Sequence, residues 1–96
     1  MEIIYANTFL KRLIGLMGKK DFKGCLIFTD LTDSSMHTMF MRFEIDVYFI
    51  DKNKIVFEKT SMKPWRFYRP KKPAKYILET KKNKLKLKIG DRLDLI

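Results

Sequence analysis

One imidazole and one carboxylate set the chemistry open to this 96-residue chain, and both lie in its most patterned stretch. Met36-His37-Thr38-Met39-Phe40-Met41-Arg42-Phe43-Glu44-Ile45-Asp46-Val47-Tyr48-Phe49 has an apolar residue at every odd position from Met39 to Phe49, with the polar groups mostly on the even ones. This alternation reads as core β structure with His37, the only histidine, on the buried face. An imidazole there can be a general base, a polar anchor for a ligand or a hydrogen-bonded core residue. Asp46 is unusual between Ile45 and Val47. A hydrolase-like enzyme would use His37 as base and Asp46 to orient it, provided the two converge at a solvent-reachable pocket. The plainer role for Asp46 is to accept backbone N–H bonds, or to pair with Arg42 or Arg66.

Met36, His37, Met39 and Met41 offer soft donors of the kind copper(I) takes. Same-face neighbours along a strand are about 6.6 to 6.8 Å apart, too far to share one small ion without a bend, so these side chains are expected to pack and no metal or cofactor is assigned. Zinc lacks a usual ligand set with one Cys and one His. Cys25, within the apolar run Gly24-Cys25-Leu26-Ile27-Phe28, reads as a buried, inert thiol.

A second group of residues points to recognition. Trp65-Arg66-Phe67-Tyr68-Arg69 interleaves three aromatics with two arginines, the composition of a surface that stacks bases and holds phosphates. The alternative is an extended loop whose aromatics fold over the core. Charge reinforces the first reading. Residues 1–51 hold 6 Lys/Arg against 7 Asp/Glu, whereas residues 52–96 hold 15 against 4, so the whole formal excess of +10 lies in the second half. Residues 63–88 alone carry 11 basic side chains and one acid, Glu79. Trp65, Arg66, Arg69, Lys81, Lys82, Lys84 and Lys86 are thus candidates for contact with RNA, single-stranded DNA or another anionic surface, against the alternative of a solvated face. Recognition-helix, RNP, KH, P-loop, serine-hydrolase, kinase and dinucleotide motifs are absent.

The elements that must position these residues are mostly strands. Thr8 can cap a short amphipathic helix through Phe9, Leu10, Leu13, Ile14, Leu16 and Met17 to Gly18. A buried strand over 24–28 follows, then a polar loop over 29–35. Residues 45–62 form a β-hairpin turning at Asp51-Lys52-Asn53-Lys54. Pro64, Pro70 and Pro73 impose an extended loop over 63–75. Tyr76–Thr80 is a strand, Lys84–Ile89 alternates basic out and apolar in, Gly90-Asp91 turns, and Leu93–Ile96 closes the chain as a last strand. Apolar residues make up 46% and aromatics 14%, enough for one packed domain but not two. No secretory leader or membrane-spanning run is visible, so the expectation is a cytoplasmic protein.

Gly15-Leu16-Met17, His37-Thr38, Met41-Arg42-Phe43, Ile45-Asp46-Val47 with Phe49, Pro64-Trp65-Arg66, Ala74, Leu78-Glu79 and Gly90-Asp91 follow one another in an order that resembles the domain of unknown function 192 family. Glu44 stands where relatives often have proline, and Lys81–Lys88 is more basic than the family pattern. The resemblance implies a small β-sandwich or barrel with a helix and supplies no reaction. Residues and resemblance together give a mainly β, α+β fold: a compact antiparallel β-sandwich or barrel with one short N-terminal helix. The expected function is non-catalytic small-ligand binding or interaction through His37, Asp46, Trp65 and Arg66, with nucleic-acid binding and the hydrolase-like reading as alternatives.

Overall fold

The computed structural model of the chain describes residues 3–6, 25–29, 35–38 and 42–94. The strands are β1 (Ile3–Ala6), β2 (Cys25–Phe28), β3 (Met36–His37), β4 (Ile45–Ile50), β5 (Val56–Met62), β6 (Phe67–Tyr68) and β7 (Tyr76–Lys81). Five form one sheet in the order β1-β2-β7-β4-β5, and β3 pairs with β6 in a separate ribbon. All pairings are antiparallel except β1 with β2, which is parallel. The fold is therefore mainly β, as expected, but among the described residues the sheet is open, with β1 and β5 at its edges, and does not close into a barrel. The predicted helix over 8–18 lies outside the described residues.

Both faces of the sheet are covered, which explains the nearly unbroken apolar character of its middle strands. Ile45, Val47 and Phe49 of β4 join Leu26, Phe28, Ile77 and Met62 in one cluster. Tyr48 and Ile50 join Cys25, Ile27, Leu78, Val56 and Leu93 in the other. Cys25 is fully buried, as predicted, and burial raises the pKa of its thiol, which keeps it protonated and unreactive. The ribbon covers the first face. Met36 pairs with Tyr68, and the Tyr68 ring stacks on Phe49 at 5.6 Å between centroids. The Tyr68 hydroxyl donates to the buried Glu58 carboxylate, which also accepts the Lys71 N–H at 2.9 Å.

The hairpin over 45–62 forms as read. Asp51 Oδ1 accepts N–H bonds from Asn53 at 2.8 Å and Ile55 at 3.0 Å, and Lys54 takes φ 66° to close the turn. Gly90, at φ 98°, and Asp91, whose Oδ2 accepts the Lys88 N–H at 2.8 Å, make the later turn. Three expectations need correction. Lys84–Ile89 is not a strand: Leu85 and Leu87 pack against the second face of the sheet, and among the described residues no strand pairs with it. Of the expected closing strand, Leu93 and Asp94 are described and form none; the chain there makes a single bridge, Ile55 with Arg92, and a bond from the Leu93 N–H to the Lys54 carbonyl at 2.8 Å, while residues 95–96 lie outside the described residues. The core run from residue 36 is also interrupted, since β3 ends at His37 and the chain bends at Phe43; residues 39–41 lie outside the described residues.

Glu79 is the cost of burying both faces. It sits in β7 between Leu26 of β2 and Val47 of β4, 4% exposed, and burial pushes its carboxyl from 4.5 up to about 8. The folded chain thus keeps a proton that the unfolded chain releases, and stability falls as pH rises from about 4.5, with the loss complete above about 8. Between pH 4.5 and neutrality the loss is roughly 3 kcal/mol. Glu79→Gln should flatten the pH dependence of thermal unfolding over this range and be more stable than the parent at pH 8. A variant that keeps the parent's slope would show that another group is responsible.

Candidate functional site

Thr38 organises the surface that holds most of the predicted site residues. It is fully buried and follows the last residue of β3. Lys63, Pro64, Trp65 and Arg66 make a turn with proline second and a positive φ third, 63° at Trp65, a place where glycine is usual. In such a turn the fourth residue's N–H normally reaches the first residue's carbonyl. Here the Thr38 hydroxyl stands between them, accepting from the Arg66 N–H at 2.7 Å and donating to the Lys63 carbonyl at 2.6 Å. Two backbone bonds flank it: the Thr38 N–H donates to the Arg66 carbonyl and the Trp65 N–H to the Thr38 carbonyl, both at 2.8 Å.

This clamp turns Trp65 outward, 57% exposed, and two residues later Phe67 is 68% exposed. The aromatics therefore do not fold over the core; only Tyr68 does. The Arg66 guanidinium curls back toward the carbonyls of Pro64 and Trp65 at 3.5 and 3.4 Å, and Arg69 Nε donates to Ser35 Oγ at 3.1 Å. His37 pairs with Phe67, on the side of the ribbon opposite Met36 and Tyr68, so it faces away from the core rather than into it as the alternation suggested. The reason is register: the ribbon's buried side is set by Met36 with Tyr68. His37 Nδ1 is nevertheless buried and has no hydrogen-bond partner.

Asp46 lies elsewhere. It shares the second sheet face with Tyr48, and its carboxylate accepts from Ser61 Oγ at 2.6 Å and from the Asn83 N–H at 2.9 Å. Backbone capping is thus its observed role. The structure brings His37, Trp65 and Arg66 together around Thr38 and sets Asp46 apart, with the sheet and its first-face cluster between Asp46 and His37. Among the described residues, no three of His, Cys, Asp and Glu gather as a metal site would require. Of the basic candidates, Lys82 is paired with Glu44 at 2.7 Å, which raises its pKa, while Lys81, Lys84 and Lys86 are exposed.

Two hollows flank β5. The larger, about 480 Å³, runs between the second sheet face and residues 83–88 and includes Asp46. The smaller, about 310 Å³, is bordered by Glu44, Lys63, Arg66 and Tyr68; Thr60 and Ser61 line both. Sequence reading gave no role to Thr38 or Glu58, which act through partners 10 to 28 residues away. The one local signal was Pro64 before a residue with positive φ, which a non-glycine at position 65 concealed.

The pattern of DUF192, Uncharacterized ACR, matches residues 1–95. A UPF0127 protein of Pyrococcus furiosus is 44% identical over 101 residues, covering 98% of this chain and 86% of that protein. Two crystal structures share the fold at TM-score 0.84. One is a protein of unknown function from Novosphingobium aromaticivorans, 18% identical, covering 94% of this chain and 71% of that one. The other is a candidate transcription regulator from Sinorhizobium meliloti, 19% identical, covering 94% of this chain and 78% of that one. At these identities both speak for the fold alone.

Replacing Thr38 with valine keeps its shape and removes all the hydroxyl's bonds. The cost should be about 1 to 3 kcal/mol in thermal or denaturant unfolding, with Thr38→Ser close to the parent. Trp65 is the only tryptophan. Its native emission should shift in Thr38→Val, and an unchanged spectrum would show that the turn holds without the clamp.

Proposed function

The chain belongs to the DUF192 family of uncharacterised proteins, and on that footing we propose that it is a non-catalytic binding domain whose recognition surface is the Thr38-clamped turn and the adjoining ribbon. One observation carries the reading: a bulky residue, Trp65, is held in left-handed backbone while its side chain points largely to solvent. That conformation costs on the order of 1 to 3 kcal/mol, and more than half of the side chain it places remains exposed. Five hydrogen bonds through Thr38 hold the arrangement. Strain of this kind, held in place at the surface, is characteristic of a site that must present a side chain before its partner arrives. The Arg66 guanidinium supplies polar specificity around two exposed rings, with His37 in register with Phe67. A small ligand or a partner chain fits this chemistry. The hydrolase-like reading through His37 and Asp46 draws no support from residues on different sides of the sheet.

A second reading, single-stranded nucleic acid, rests on the exposure of Trp65 and Phe67 with Arg66 and Arg69 beside them. Stacking of bases on such rings tolerates any sequence, and the nearby cations would meet the backbone.

Both readings have direct tests. In a fragment screen followed by amide chemical shifts, hits should cluster on residues 63–69 and His37, and Trp65→Ala and Phe67→Ala should lose them without a lower melting temperature. A screen whose hits leave this surface untouched would reject the proposal. For the second reading, oligoribonucleotide should quench Trp65, and four phosphate contacts would give a slope of log affinity against log salt of about −2.8. Absence of binding at low ionic strength would remove the nucleic-acid reading and leave the basic stretch as a solvated face.

A further inference from the structure

The larger hollow, on the other side of the sheet from the Trp65 turn, has a charge and construction of its own. Its floor is the β4–β5 pair, where Tyr48 lies opposite Lys59 and Asp46 opposite Ser61. Its roof is the segment 83–88, tied down at every second residue. The Asn83 N–H reaches Asp46, the Leu85 carbonyl accepts from the Tyr48 hydroxyl at 2.8 Å, and the Leu87 carbonyl accepts from Lys59 Nζ at 3.2 Å. These side-chain ties hold the roof over the floor without merging it into the sheet, and about 480 Å³ remains between them. That volume is within the range of small-molecule sites.

Lys59, Lys86 and Lys88 line this space against one acid, Asp46. Asp46 is already committed, since its two oxygens accept from Ser61 and Asn83. The hollow therefore carries a surplus of lysines, with Thr60 and Ser61 at its edge and a roof that forms no strand among the described residues. Flexible point charges suit a compact multivalent anion better than a planar carboxylate, which a bidentate arginine would serve. We propose that this groove is a binding site for a small phosphorylated molecule, with its phosphate among Lys59, Lys86 and Lys88. The site is independent of the Trp65 surface and needs no participation from it.

The test uses the full chain with inorganic pyrophosphate, adenosine monophosphate and uncharged adenosine, read by amide chemical shifts. Pyrophosphate and adenosine monophosphate should saturate and shift Ser61, Asn83 and residues 85–88, while adenosine should not. The double variant Lys86→Glu, Lys88→Glu should weaken binding by about tenfold or more, and Trp65→Ala should leave it unchanged. Should the glutamate pair fail to fold, Lys86→Gln with Lys88→Gln gives the same readout. Adenosine acting as well as its phosphate, shifts spread equally to Lys71 and Lys72, or no saturation at millimolar ligand would each overturn the proposal.

Discussion

Burial of β4 and β7 on both faces is the constraint from which the rest of the structure follows. A middle strand with no solvent face must dispose of every polar group it carries. Asp46 does so by accepting two hydrogen bonds, the Tyr48 hydroxyl by donating to Leu85, and Glu79 by keeping its proton. The same constraint demands two covers. On one side it is the β3–β6 ribbon anchored by Tyr68; on the other it is the chain from Asn83 to Leu93. The sheet itself has little chemistry to offer, and both candidate binding surfaces lie in its covers.

Those covers are attached in different ways. The ribbon side is fixed through a hydroxyl inserted into a turn, so that a single buried oxygen replaces the backbone bond the turn lacks and ties it to a residue 25 to 28 positions earlier. Such a junction determines direction as well as position, and the strained tryptophan it holds stays more than half exposed. On the other side, long and aromatic side chains reach from the sheet to the carbonyls of a segment that has no strand partner.

What could be read in the sequence was what neighbouring residues decide. The Asp51–Lys54 turn, the flanking strands, the Tyr76–Lys81 strand and the Gly90-Asp91 turn all depend on contacts a few positions apart or on an unbroken apolar run. The Lys84–Ile89 segment shows the limit of that method: its period of two is real, and Leu85 and Leu87 do face inward, but alternation reports only which side is buried, not whether a strand lies alongside. His37 fails for a related reason, because its side of the ribbon is set by pairing with a strand 30 residues later. Trp65 and Arg66 were recognisable by composition, whereas the residue that poses them, Thr38, looks like any other threonine until the turn folds against it.

The roof over residues 83–88 has an energetic consequence of its own. A segment joined to a sheet by backbone ladder bonds can leave only by disrupting its neighbours, whereas one held by an aspartate, a tyrosine, a lysine and two leucines can detach and reseat with every strand of the sheet intact. Its opening free energy is thus separable in principle from that of global unfolding, and amide exchange there is expected to proceed as a local event. Surface substitutions among its lysines can tune the dwell time of the closed form while the melting temperature of the domain stays where the core sets it.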